Sequence, residues 1–233
     1  MDLVTVSGKM EVTIVASADR SKVFEICRDY SDGNCAENEE AILITICPCT
    51  NEIFKSDLST LHTQNHLEEL GLKKVHFLYL FSKVSSARLS TRGIVVDEEN
   101  LSYVEQALQK YKNAKVIIGW GSSMSKCATA IASKKRILAM VASREDKQLW
   151  QLGCNGDGTT ENMHPLFLGI RYSNSKWLLK NYDIPAELKV NEDVKEMSEP
   201  VGNVVVAKRI SKATVTVEVS ALFGRLTGKN TIF

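Results

Sequence analysis

Apolar positions along the chain fall into short β-branched runs separated by stretches with helical spacing. Lys9-Met10-Glu11-Val12-Thr13-Ile14-Val15 alternates in character, and Lys22-Val23-Phe24-Glu25-Ile26-Cys27 does so again after an Asp19-Arg20-Ser21 turn. Residues 9–28 therefore predict an antiparallel pair of strands. Asp29 to Glu40 is polar around a Ser-Asp-Gly-Asn centre and predicts a loop. Two nearly continuous apolar runs, Ala41–Cys47 and Lys74–Phe81, predict buried strands of the kind covered on both faces. Between them, Asp57 to Leu70 predicts a helix with Leu58, Leu61, Leu67 and Leu70 near one face and Gly71 as its C-cap.

A long polar loop over 82–96 follows. Asp97 then caps a helix through Tyr111, with Leu101, Val104, Leu108 and Tyr111 inside. The next strand is expected at 115–119, and Gly121-Ser122-Ser123 is expected to open a helix to about Lys134. Ile137–Val141 fits either the end of that element or a connector, and Lys147–Leu152 predicts a short strand. Alternation of this kind predicts an α/β fold: a three-layer α/β/α sandwich around a mainly parallel central sheet. After Pro185 the character changes. Lys189 to Pro200 is acidic and linker-like, and Asn203–Lys208 and Ala213–Ser220 predict two strands joined by Arg209-Ile210-Ser211-Lys212. The expected organisation is one domain over residues 1–185 and a linker with a C-terminal β-hairpin appendage over 186–233.

At 233 residues the chain is long enough to bury a sizeable core. Its net charge of +1 gives no global field for nucleic acid, so any such binding needs a local patch. No apolar run reaches the length of a membrane span, and Met1-Asp2-Leu3 does not begin a signal-peptide layout. Cysteines at 27, 35, 47, 49, 127 and 154 lack the paired spacing of a secreted scaffold. A reduced, cytoplasmic protein is expected, and no internal repeat is present.

Three segments carry candidate chemistry: Ile46-Cys47-Pro48-Cys49-Thr50, Gly119-Trp120-Gly121-Ser122 and Met163-His164-Pro165-Leu166-Phe167-Leu168. The first two follow predicted strands, where open α/β sheets build ligand crevices. Cys47 is either a reactive thiol at a strand end or a packed small residue. Cys35, Cys47, Cys49 and Cys154 lack the spacing of a metal–sulfur cluster. The turn at Gly119-Trp120-Gly121 either offers backbone N–H groups to a phosphate or packs Trp120 into the core. Lys126, Lys134, Lys135 and Arg136 make the segment after it basic. The His62 and His66 spacing suits a metal, but without a third ligand a solvated helix face accounts for them. His164, fixed in an extended conformation by Pro165, either donates to a base carbonyl or anion, or caps a turn.

In this order the segments resemble a family of bacterial proteins of unknown function with the pattern L-N-P-S-T, N-L-F, W-G and L-G-x-x-x-x-G before H-P-L-Y-L. The counterparts are Ile46–Thr50, Tyr79-Leu80-Phe81, Trp120-Gly121, Leu152-Gly153 and His164–Leu168, and the resemblance spans about residues 10–182. The arrangement in turn resembles the uracil-DNA glycosylase superfamily, including a degenerate relative encoded on a mobile genetic element. That resemblance implies the superfamily's sandwich fold and a base pocket of Cys47, Pro48, Cys49, Tyr79, Trp120 and His164. The departures matter most. Cys47 stands where relatives place Asp or Asn, Ile46 where a subgroup places Glu, and Tyr79 where the family has Asn. Neither Cys47 nor Ile46 can orient water or stabilise a cationic sugar, and Tyr79 lacks an amide's paired donor and acceptor. Only His164 is retained.

The expectation is a pseudoenzyme that has lost uracil excision and binds DNA, or a flipped or modified base. Lys83, Arg88, Arg92, Lys126 and Arg171 are the candidate phosphate contacts. The resemblance also implies a small DNA-mimicking partner of the uracil-glycosylase-inhibitor type. No metal or other cofactor is expected. Two alternatives stand beside this: a hydrolase for another base, with Asp57 or Asp157 supplying the carboxylate, and a module that binds only protein.

Overall fold

Strands β3 (Glu40–Thr45), β4 (Lys74–Tyr79) and β5 (Lys115–Ile118) lie side by side at the centre of the sheet, in the order β5-β3-β4 and parallel throughout. They are the most continuously apolar stretches of the chain, and helices on both faces leave them no wet side. The computed structural model describes residues 3–87, 89–156 and 163–189, together with the backbone of 211–220. Four further strands extend the sheet: β1 (Ser7–Ala16), β2 (Val23–Asp29), β6 (Leu149–Cys154) and β7 (Trp177–Asn181). With β8 (Ser211–Ser220) the order is β7-β6-β5-β3-β4-β2-β1-β8.

Only the β6-β5-β3-β4 core is parallel. The pairs β7–β6, β4–β2, β2–β1 and β1–β8 are antiparallel, so the sheet is mixed rather than mainly parallel. At the β1–β2 pair the physical reason is local: a short link without a crossover helix joins the two strands, and such a link can only reverse the chain. The strand expected over Ala213–Ser220 is present as β8, and it lengthens the sheet alongside β1. Its expected hairpin mate, Asn203–Lys208, lies outside the described residues.

Side-chain alternation sorts the core into two layers. Ala41, Leu43, Val75, Phe77, Tyr79 and Ile117 pack with Leu67, Leu70 and Leu168 on one face. Ile42, Ile44, Leu78, Val116 and Ile118 pack with Leu101, Val104, Leu108, Ile137 and Val141 on the other. The first layer is roofed by α1 (Leu58–Asn65), α2 (Leu67–Leu70) and α5 (Pro165–Arg171), the second by α3 (Glu98–Lys110) and α4 (Ala128–Ala142). No helix among the described residues is long and apolar enough to cross a membrane.

Two helical expectations change. The helix over Asp57–Leu70 breaks at His66, and α1 buries Thr60 and Thr63 while Leu58 and Leu61 face solvent. The break puts the leucine stripe out of phase, so only Leu67 and Leu70 reach the core. The helix expected from Gly121 begins at Ala128, because Gly121 (φ 60°) and Met124 (φ 59°) are left-handed. Ile137–Val141 forms its end. The periodicity predicts neither α5 nor β7, each two turns or less of regular structure.

Candidate functional site

Past the carboxyl ends of β3 and β4 the chain stays paired: Leu80 and Phe81 donate backbone N–H groups to Thr45 and Ile46 carbonyls at 3.0 Å each. This holds Cys47 and Pro48 at the mouth of the sheet, and Ser85 N–H ties the Pro48 carbonyl to the next loop at 2.9 Å. Pro48 is buried, Cys47 half-buried and Cys49 exposed. Burial pushes the Cys47 thiol up to about 11, helped by Cys49 and Asp57, and Cys49 moves the same way. A thiol held protonated is a poor nucleophile, which favours the packed-residue reading of Cys47 over the reactive one.

Asp57 links the crevice electrostatically. Its charge acts on Cys47, Cys49, Tyr79 and His164 alike. The same carboxylate caps α1, accepting from Thr60 N–H and Thr60 Oγ1, both at 3.0 Å. Tyr79 is 4 % exposed and its phenol is pushed well up, first by burial and then by Asp57. Asp157, the other carboxylate considered, lies outside the described residues.

His164 is the N-cap of α5, with φ −82° and ψ 140°, the extended conformation that Pro165 imposes. Its Nδ1 accepts from Leu166 N–H at 3.2 Å, which is the capping geometry. An Nδ1 that accepts fixes the neutral tautomer with its proton on Nε2. Burial lowers the imidazole's pKa, which keeps the ring in that donor form.

Trp120 is not part of this group. It continues the parity of Val116 and Ile118 into the opposite layer, where it meets the Tyr182 ring edge-on at 6.3 Å and lies under Lys134 Nζ. Its turn precedes α4 by six residues and presents no helix N-terminus to a phosphate. The histidine pair on the first helix is divided as well. His62 packs beneath Gly169 of α5, and the His66 ring stacks on Trp177 at 4.2 Å with its Nδ1 2.9 Å from Glu69. They are half-buried packing residues, neither metal ligands nor a solvated face. Among the described residues no three of the four cysteines come together. Cys35 neighbours Asp29 and Glu40 at the far end of β3, and Cys154 is buried on β6.

Of the candidate phosphate contacts, Lys83 and Arg92 line one cavity of about 620 Å³ together with Lys22, Phe81, Leu89 and Asp97. Lys126 and Arg171 are exposed on separate elements, and Arg88 lies outside the described residues.

Two features escape the sequence reading. Arg28, on the same face of the sheet as Tyr79, is 3 % exposed. It donates to the Lys55 carbonyl at 3.2 Å, its Nε finds no partner, and its charge reaches Tyr79. On the other face, His76 bridges two carboxylates, Nδ1 to Glu25 at 2.7 Å and Nε2 to Glu40 at 2.9 Å. Burial alone would lower its pKa, but bonds to Cys27, Glu25 and Glu40 bring it up to about 10. Tyr103 and Tyr111 both donate to Glu25. The signal was present: Glu25 and His76 are charged or titratable residues inside otherwise apolar strands, where an unpaired group would be costly.

Comparison with family models matches residues 32–166 to one described as "Protein of unknown function (DUF1643)". No curated protein and no solved structure matches the chain.

Proposed function

The chain belongs to the DUF1643 family, and on the geometry of its crevice we propose that it binds a nucleobase, free or flipped from DNA, without cutting it out. The observation that carries this is His164: a half-buried imidazole with a lowered pKa, whose Nδ1 is taken by Leu166 N–H, leaving Nε2–H as a donor. Such a donor suits a base carbonyl or an electron-rich ring edge. Arg28, buried with its Nε unpartnered, adds a positive field that favours electron-rich or anionic ligands.

Excision needs a carboxylate free to orient water. Cys47 and Ile46 carry none, and both oxygens of Asp57 are engaged by Thr60. In this reading the α/β/α sandwich is of the uracil-DNA-glycosylase kind, with Cys47, Pro48, Cys49, Tyr79 and His164 around the base. Lys83 and Arg92 then hold phosphates. Exposed Leu58 and Leu61 on α1 and Phe167 and Ile170 on the adjoining α5 supply an apolar surface beside His164. That surface suits the inhibitor-like protein partner.

The second reading, a glycosidic hydrolase for another base, rests on the Asp57 charge that acts on His164. One experiment separates the two. DNA carrying a panel of modified bases is scored for binding across a salt series and for abasic sites. Salt-dependent binding, weakened by His164→Ala, with no excision is expected. Excision abolished by His164→Ala installs the hydrolase, and no binding at low ionic strength overturns both.

A further inference from the structure

Glu25 and Cys27 project from the same face of β2, two residues apart, and Cys27 stands directly opposite His76 on β4. One ligand atom from each of the three lies within 4.8 Å of the others, and all three residues are buried. A carboxylate, a thiol and an imidazole are the donor types that zinc and its neighbours take. The group does not sit in solid core. It forms one wall of a cavity of about 340 Å³ bounded by Thr13 and Val15 of β1, Lys74 of β4 and Tyr111 at the end of α3.

Surrounding bonds supply a second set of observations. His76 directs Nδ1 at Glu25 and its other nitrogen, Nε2, at the Glu40 carboxylate. A metal-binding histidine characteristically donates its free N–H to a carboxylate in this manner, which fixes the tautomer and raises ligand basicity. Glu25 is oriented by two tyrosine hydroxyls, Tyr111 at 3.0 Å and Tyr103. A hydrogen-bonded core network has no need of a thiol at its centre or a cavity beside it.

We propose that Glu25, Cys27 and His76 bind a divalent transition metal of the zinc type, with Glu40 as the outer carboxylate and the fourth coordination position open to the cavity. On loading, the proton between His76 Nδ1 and Glu25 and the thiol proton of Cys27 pass to solvent, and metal–nitrogen, metal–oxygen and metal–sulfur bonds form in their place. Three protein ligands with one exchangeable position is the arrangement of a metal that meets small molecules rather than one that only staples a fold. The site is on the opposite face of the sheet from His164, so it is independent of the base-binding reading.

The test is titration of the full chain, freed of metal by chelator, with Co²⁺ as the probe. One equivalent is expected to produce a thiolate-to-cobalt charge-transfer band together with the visible bands of a four-coordinate ion, and Zn²⁺ should bleach both. Cys27→Ser, checked for folding by circular dichroism, should lose the charge-transfer band. Glu40→Gln should weaken cobalt binding about 10–100-fold. Absence of the bands in the unmodified chain overturns the proposal without reference to any variant. Bands that persist unchanged in Cys27→Ser overturn it equally.

Discussion

Gly169 on α5 lies directly against the His62 ring of α1: a Cβ placed on Gly169 would stand 2.0 Å from His62 Cγ. The absence of a side chain there is what lets the two helices meet, and α5 carries His164 at its start. Gly169→Ala must therefore push the imidazole or the helix away. Overpacking of this kind costs about 1–3 kcal/mol, to be read from urea denaturation. Adding His62→Ala should recover most of the loss, and a double variant no more stable than Gly169→Ala alone would show that the contact is not the cause.

On the proposed base-binding reading, a carboxylate placed at position 47 should not by itself confer excision. Tyr79 is buried beneath α1 and α5 on the His164 face, so Cys47→Asp is expected to release no uracil from DNA. The double variant Cys47→Asp, Tyr79→Asn is the informative companion. Uracil release by the single variant, in a glycosylase assay with abasic-site cleavage, would show that Tyr79 is no obstruction.

His164 should make the protein sensitive to mild acid. Its folded-state pKa lies below the ordinary 6.5 because of burial, so the unfolded chain takes up the proton first. Stability from this residue is complete above about pH 6.5 and declines as pH falls below it. His164→Asn keeps a side chain able to cap α5 and should flatten that decline, whereas His164→Ala should cost about 1 kcal/mol at neutral pH through the lost cap. Thermal melts between pH 7.5 and 5 check both, about 6.5 being the upper edge of the window.

Lys134 predicts the opposite end of the profile. Its ammonium is tucked against Trp120 and donates to the Ser123 carbonyl at 2.9 Å, and burial lowers its pKa from 10.5 to about 8. Below that value folding must bury a charge. Stability should rise as pH increases from about 8 to 10.5, by an amount on the order of 1–2 kcal/mol once solvent screening is allowed for. Lys134→Met should remove this rise, and equal slopes for the two proteins would reject the assignment.

The strands other than β7 were legible because their buried runs are apolar or alternating, and the candidate crevice was legible as far as the placing of Cys47, Tyr79 and His164 around the Asp57 charge. Two errors share one cause, the reading of residues by spacing without neighbours. Leu58 and Leu61 have helical spacing with Leu67 and Leu70, but the break at His66 rotates them into solvent. Trp120 follows a strand as Cys47 does, yet its parity with Ile118 sends it to the other layer. Parity was readable in the sequence. By contrast, nothing local says that Arg28 is buried with its Nε unpartnered, or that Glu25 and His76, far apart in sequence, meet across β2 and β4.

Strand β4 bears His76 toward one layer and Tyr79 toward the other, three residues apart. A slip of one residue against β2 or β3 would drive the imidazole in among Leu67, Leu70 and Leu168, and would leave the Glu25 and Glu40 carboxylates facing hydrocarbon. An apolar strand of Val, Phe and Leu alone would tolerate such misalignment at little cost. The polar residues therefore act as a proofreading mark on the growing sheet: β4 can settle in only one of the alignments its hydrophobicity would accept.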